Sequence, residues 1–326
     1  MQAFETLWGW YLNQVEANGG FYILFVYYLG VVLTERALYV LSDEHRASWD
    51  ERDAITNIVT SSSASVANAL GLGLFYSVAY FAIYDHVAPF HLPDAWWAFV
   101  FAFVLRDFLY WLDHIISHKN GFFWAFHQTH HSSREMNLTV ASRGHVLLPL
   151  FQPVYLTLPL LGVSITQAIA VTILGNLWGI FNHTRLVGRM GPLERWLCTP
   201  ANHRVHHGTQ AKYLDKNYGQ TLLVWDRLFG TWQPEEEEPV YGLVKQMDRQ
   251  NPINIQTEPI LGLWRAVRSA PTLRGKLGYL WHPPGWSHDG RHERSRELYA
   301  AWAAEQDEAR RSERDAPSAP LLSPAE

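Results

Sequence analysis

Apolar and polar blocks alternate along this chain on the length scale of a lipid bilayer. Residues 1–20 read as an interfacial helix, with Trp8, Trp10 and Tyr11 suited to headgroup depth. Phe21–Leu41 is the first run able to cross a hydrocarbon core of about 30 Å. Glu35 and Arg36 within it must face protein or lie near its end. A polar loop, 42–65, precedes a second run, Val66–Tyr84, which carries no charged residue. A turn at 85–94 leads to a third run, Ala95–Leu112, interrupted by Arg106 and Asp107. Arg106 is expected to turn inward, toward Asp107 or Glu35, or to approach a lipid phosphate. Val146–Ile165 and Thr166–Phe181 predict an apolar hairpin, spanning or re-entrant, kinked by Pro149, Pro153 and Pro159. After His183 the chain is polar except for Gln220–Leu228, and 291–326 reads as a polar, disordered tail.

The pattern predicts an all-α integral membrane fold of about four to five transmembrane or re-entrant helices under a cytosolic, histidine-rich helical cap. Residues 21–290 form its embedded domain, with a core at 107–243. Sidedness follows from the basic residues. The segments 1–20, 85–94 and 162–166 contain no Lys or Arg, whereas the opposite face receives Arg46, Arg52, Lys119, Arg134 and Arg143. The positive-inside rule puts that second face in the cytosol, of a bacterial inner membrane or of the endoplasmic reticulum.

Composition narrows the classes further. Charged residues are 17%, below the roughly 25% of soluble domains, and aromatic residues reach 14%. A formal charge of -5 gives no nucleic-acid signal. Cys198 is the single cysteine, so neither a disulfide framework nor a thiolate zinc site is available. The N-terminus lacks the basic and apolar regions of a cleaved signal peptide, so the first apolar run would act as its own insertion signal.

The chemistry lies in the histidines. Nine of 16 fall into His114-x-x-x-His118, His127-x-x-His130-His131, His203-x-x-His206-His207 and a lone His183. Residues three and four apart meet on one helix face. His114 with His118 should therefore serve one centre, and His127, His130 and His131 should do the same. Thr199 suits an N-cap and Pro200 the first helical position, starting the helix of the last group. One ion takes about four to six ligands, so nine imidazoles suit two ions with open positions. All nine fall on the cytosolic face. Two redox-active irons beside a bilayer fit O2 activation, since no side chain supplies an oxidant strong enough for an inert C–H bond. Asp113 and Asp226 are placed to accept an imidazole N–H and so orient a ligand. Asn217 is placed with Lys212, Asp215 and Lys216 in a loop over the site. Glu135 and Asn137 are candidates to line the site or contact a head group. A zinc hydrolase using Glu135 as base is the rival reading, and a scaffold with structural metal is a second.

Five stretches carry a resemblance: AFHQTHHSSREMNLTVASR (125–143), FNHTRLVGRMGPLE (181–194), TPANHRVHHG (199–208), YLDKNYGQTLLVWDRLFGTW (213–232) and VYGL (240–243). With them the chain resembles the fatty acid hydroxylase/sterol desaturase superfamily of membrane di-iron enzymes, nearest its alkylglycerol monooxygenase branch. The resemblance implies two Fe ions on the nine histidines and O2-dependent hydroxylation or desaturation of a lipid. It also implies reductant from outside the chain, either a separate electron-transfer partner or the tetrahydropterin of that branch. Two positions depart from the branch's pattern. Lys119 replaces an acidic residue after the second histidine, and Gly144-His145 follows the NL-x-x-x-x-R run.

Overall fold

The computed structural model describes residues 2–18, 20–42, 49–67 and 73–315, and the regular elements among them are all helical. Five helices build the apolar body: α1 (Gln2–Asn18), α2 (Phe21–Leu41), α4 (Gly73–His86), α5 (Trp96–Lys119) and α8 (Ile165–Phe181). α5 packs along α8, with α1 and α2 on the other sides of α8. Ala102 joins Ala170, Val171 and Ile173 in the core they share. Small residues set this packing distance: a Cβ on Gly175 of α8 would lie 2.5 Å from the Arg106 guanidinium of α5. α8 starts on a capping box, in which Ser164 accepts from the Gln167 N–H and the Gln167 side chain reaches back.

Among the described residues, α2 alone is long and apolar enough to cross a membrane by length and composition. Its Phe21, Phe25, Val26 and Leu33 are exposed, as are Leu74, Phe75 and Val78 of α4 and Trp96 and Val100 of α5. The charge inside α2 faces protein. The Glu35 carboxylate accepts the Leu138 N–H and the Thr184 hydroxyl, each at 2.6 Å. In α5, Arg106 pairs with neither Asp107 nor Glu35. It donates to the Gln220 and Asn176 side chains, while Asp107 accepts the Thr221 and Leu222 N–H groups and the Trp225 indole.

Three expectations change. The segment read as a polar loop, 42–65, is helical from Glu51 onward. The first arm of the apolar hairpin is not one helix: 3-10 turns at Leu148–Phe151 and Pro153–Leu156 lead into a single turn, α7 (Thr157–Leu160). Proline lacks the N–H that an α-helical ladder needs, and three in eleven residues break it repeatedly. The tail after residue 291 contains a helix, α13 (Ser295–Asp315), rich in the strong helix formers Ala, Glu and Arg. Residues 316–326, and residues 68–72 of the second apolar run, lie outside the described residues.

The remaining helices form a cap over the end of α5. They are α3 (Glu51–Ala67), α6 (Gly121–His131), α9 (Pro200–His206), α10 (Val224–Leu228), α11 (Pro252–Ser269) and α12 (Leu273–Trp281). α6 follows α5 directly. Asn120 caps it by accepting the Phe122 and Phe123 N–H groups at 3.0 and 3.3 Å. Gly121 lies so close to the Tyr279 carbonyl of α12 that any Cβ would collide with it.

Candidate metal centre

Three helices and one loop bring the nine histidines together. α5 supplies His114 and His118, α6 supplies His127, His130 and His131, and His183 follows α8. α9 supplies His203 and His206, and its C-cap residue is His207; its N-cap is Thr199, whose N–H and hydroxyl meet the Asn202 side chain, and Pro200 is its first residue. That local expectation matches the structure.

The grouping does not match the motif spacing. His114, His118, His127, His131 and His206 converge in one set, and His130, His183, His203 and His207 in a second. Each H-x-x-H-H motif is therefore divided. At about 100° per residue, the fourth residue on lies about 40° ahead and the third about 60° behind. The i and i+4 members stay together, while His130 and His206 lean the other way and join the opposite set. The sets adjoin: the rings of His131 and His207 are 4.4 Å apart, and those of His130 and His207 4.6 Å.

Hydrogen bonds fix which ring nitrogen is free. His114, His130, His183 and His206 direct Nδ1 at the carbonyls of Tyr218, Arg143, Gly179 and Lys216, at 2.7, 3.0, 2.7 and 2.8 Å. A carbonyl only accepts, so in each neutral ring Nδ1 carries the proton and Nε2 presents a lone pair. The Nε2 atoms then face one another. The spacings are 3.0 Å for His114–His127, 3.1 Å for His118–His131 and 3.2 Å for His131–His206. In the second set they are 2.9 Å for His183–His203 and 3.1 Å for His203–His207. His130 and His183 are the decisive pair. Both have Nδ1 committed, and their lone pairs meet at 3.3 Å with no proton between them.

Facing lone pairs repel unless a cation lies between them. Metal–nitrogen bonds of about 2.1 Å set neighbouring ligand atoms about 3.0 Å apart at a right angle and about 3.4 Å apart at a tetrahedral angle. All the observed spacings but the 2.9 Å of His183–His203 fall within that interval, so the residues present fit two metal ions. Burial, with the neighbouring imidazoles, pushes His130 down to about 4 and holds His127, His131, His183, His203, His206 and His207 well below their usual value. Neutral imidazoles are the form that ligates at physiological pH.

Supporting residues differ from the sequence reading in instructive ways. Asp113, beside His114 in sequence, accepts from the Gln152 amide at 2.8 Å. The carboxylate that meets a site histidine is Asp215, 3.4 Å from His118 Nδ1 and also paired with Lys119 at 2.5 Å and with Ser295 of α13. The Lys119 that departs from the branch's pattern therefore serves to hold Asp215. Asp226 touches no histidine. It accepts the Tyr218 and Gly219 N–H groups, the Trp111 indole and the Thr231 hydroxyl, fixing the loop whose Tyr218 carbonyl takes His114. Asn217 clamps that loop through the Asn202 and Gln233 carbonyls and the Gln233 N–H. Asp215 and Asn217 have φ of 61° and 53°, a conformation that Asp and Asn tolerate better than most residues. Asn137 caps its own turn through the Thr139 N–H and hydroxyl. Glu135 lies 3.9 Å from Arg185.

A cavity of about 700 Å³ reaches the cluster from the side of α2. Phe21, Leu24, Phe25 and Tyr28 of α2 line it together with His114, His127, His130, His183 and His203. Neither Glu135 nor Asn137 is among its lining residues.

The fatty acid hydroxylase family model matches residues 99–231, which contain all nine histidines. Human alkylglycerol monooxygenase is 35% identical over 242 residues, covering 71% of this chain and 53% of the relative. The Danio rerio alkylglycerol monooxygenase is 33% identical over 270 residues, covering 80% and 58%. The chain belongs to the fatty acid hydroxylase superfamily, in its alkylglycerol monooxygenase-like branch. Ornithine lipid hydroxylase OlsE of Rhizobium tropici, 28% identical over 210 residues, covers 60% of this chain and 63% of its own length. The chain spans about half the length of the curated alkylglycerol monooxygenases it matches. No solved structure matches it.

Proposed function

We propose that this chain is a non-haem di-iron oxidoreductase of an integral membrane bundle, hydroxylating or desaturating a lipid with O2 at its cytosolic face. The observation that carries the reading is the pair of convergent imidazole sets beside a cavity that is also lined by Phe21, Leu24 and Phe25 of α2. When bound, two iron ions would supply the activation of O2. The chain's own part is positional. Carbonyl contacts hold the imidazole lone pairs toward the centre, and burial keeps those rings neutral. The cavity volume lies within the roughly 300–1,000 Å³ of small-ligand sites. Its Phe21, Leu24 and Phe25 wall suits a fatty acyl, alkyl-ether, isoprenoid or sterol substrate that would slide in from between α2 and α8. The exposed apolar faces of α2, α4 and α5 would then lie in lipid.

Hydroxylation of one C–H bond consumes one O2, two electrons and two protons, and releases one water. The electrons would come from outside the chain, from a protein partner or a reduced small molecule such as tetrahydropterin. The relatives named as alkylglycerol monooxygenases and as an ornithine lipid hydroxylase support oxidation of a lipid. The absence of Glu135 from the cavity lining weighs against the zinc-hydrolase alternative. Two measurements on the full chain purified in detergent test the proposal: metal analysis, and lipid turnover coupled to O2 uptake. Two irons per chain and one O2 per oxidised lipid are expected. Protein without iron, or lipid turnover that consumes no O2, overturns the reading.

A further inference from the structure

We propose that α11 and α12 form a paired docking face for the headgroups of an anionic bilayer, laid in the plane of the membrane. The charge of this stretch opposes that of the chain. Residues 252–288 contain Arg265, Arg268, Arg274 and Lys276 against a single acidic residue, Glu258, which pairs with Arg265, within a protein of net charge -5. The same stretch exposes large apolar side chains. On α11, Ile253, Leu261, Trp264 and Arg268 fall within about 80° of the helix circumference, and the first three are 77%, 46% and 52% exposed. On α12, Leu273, Leu277 and Trp281 make a second such stripe, at 72%, 54% and 76% exposed. The opposite sides are the packed ones: Ile255 and Pro259 of α11 and Gly275 and Gly278 of α12 are buried.

Apolar stripes rimmed by Lys and Arg and punctuated by Trp are the composition of helices that lie at a membrane surface. The Arg268 guanidinium stacks 4.7 Å from the centre of the Trp264 ring, which sets a cation at the level of an interfacial indole. Position in the fold agrees. Where the chain turns from the cap into the broken apolar arm, His145 Nε2 donates to the Gln256 carbonyl and the Gln256 side chain accepts the Val146 N–H. α11 therefore lies beside the point at which the chain enters that apolar arm. Zwitterionic headgroups offer no net attraction to Arg268, Arg274 and Lys276, whereas anionic ones attract each of these three cations within a Debye length.

The inference rests on the membrane reading above, and its test separates the two. The full chain is prepared as Ile253→Cys, Leu277→Cys or, as a control on the acidic α13, Glu305→Cys. Each carries a fluorescent thiol label, native Cys198 being buried. The variants are reconstituted in nanodiscs of phosphatidylcholine alone or of an equal mixture with phosphatidylglycerol, both doped with headgroup-level nitroxide lipid. Strong quenching of the 253 and 277 labels is expected in the anionic discs, with loss of quenching in high salt and in the Arg268→Gln/Arg274→Gln/Lys276→Gln background. The control label should stay bright. Dim labels at 253 and 277 that respond neither to lipid charge nor to salt overturn the anionic assignment, and bright ones in both lipids overturn the docking face itself. Because the salt series uses chain with its native charges, poor folding of the triple variant leaves the test intact. Release of the unlabelled chain from membranes by alkaline carbonate would instead defeat the membrane reading.

Discussion

The five-histidine and four-histidine sets draw on the same two motifs but are held by different means. In the five-membered set, His114, His118 and His206 all rest on one loop, through the Tyr218 carbonyl, Asp215 and the Lys216 carbonyl. That loop runs through two left-handed residues and is pinned by Asp226 and Asn217. In the four-membered set, His183 rests on its own helix and His130 on the Arg143 carbonyl. Arg143 is fully buried. It donates to Asp53, Asn57, Ser132 and Gln250, joining α3, α6 and the segment before α11. One set thus depends on a shaped loop and the other on a buried ion pair. Damage to either support should be felt by one ion first.

Arg143→Met should have the largest effect. It leaves Asp53 as an uncompensated buried charge, which costs about 3–5 kcal/mol, and it loosens the backbone whose carbonyl at 143 holds His130. Denaturant unfolding should show that loss, and iron analysis of the folded fraction should fall toward one ion per chain. Equal loss of both ions would break the distinction between the sets. Asp226→Ala comes next. The Tyr218 and Gly219 N–H groups and the Trp111 indole lose their acceptor, at about 1–3 kcal/mol for each buried donor left unpaired. Here the five-membered set should empty first, seen as a changed iron spectrum with the other ion retained. Asp215→Asn is gentler: it keeps the loop's shape and removes the charge facing His118, so affinity for one iron should fall about 10–100-fold. Competition with a chelator reads this directly, and an unchanged affinity would make Asp215 a structural residue only.

Glu135→Gln should have the smallest effect on turnover and a distinct one on stability. Burial raises its carboxyl to about 7 from a usual 4.5. A folded-state value above the unfolded one means stability that is full below about 4.5 and declines as pH rises through about 7. The glutamine variant should therefore gain on the native chain across that window and run parallel above it, as melting temperature against pH would show. Loss of turnover in this variant would revive the hydrolase reading.

The histidines were legible in the sequence because helical spacing is a local rule. How they divide was not, since the side to which His130 or His206 leans matters only when a partner helix supplies the other half of the set. Asp113 and Asp215 make the same point. Adjacency to His114 suggested the first, but at that position on α5 the side chain meets Gln152. The second arrives almost a hundred residues later in sequence, on a left-handed turn and with Lys119 as its counter-ion. The prolines of 146–160 announced a disturbance, yet their number, not their presence, decided that no helix forms. α13 was read from its charge alone, which hides how well Ala, Glu and Arg sustain a helix.

Helix α6 gives two of its histidines to one set and one to the other. A rigid rotation of that helix about its axis would tighten one set while it strains the other. The set filled first therefore draws the shared helix toward its own geometry and away from that of the other. Iron uptake by this chain should accordingly be stepwise, with singly loaded protein prominent at half saturation.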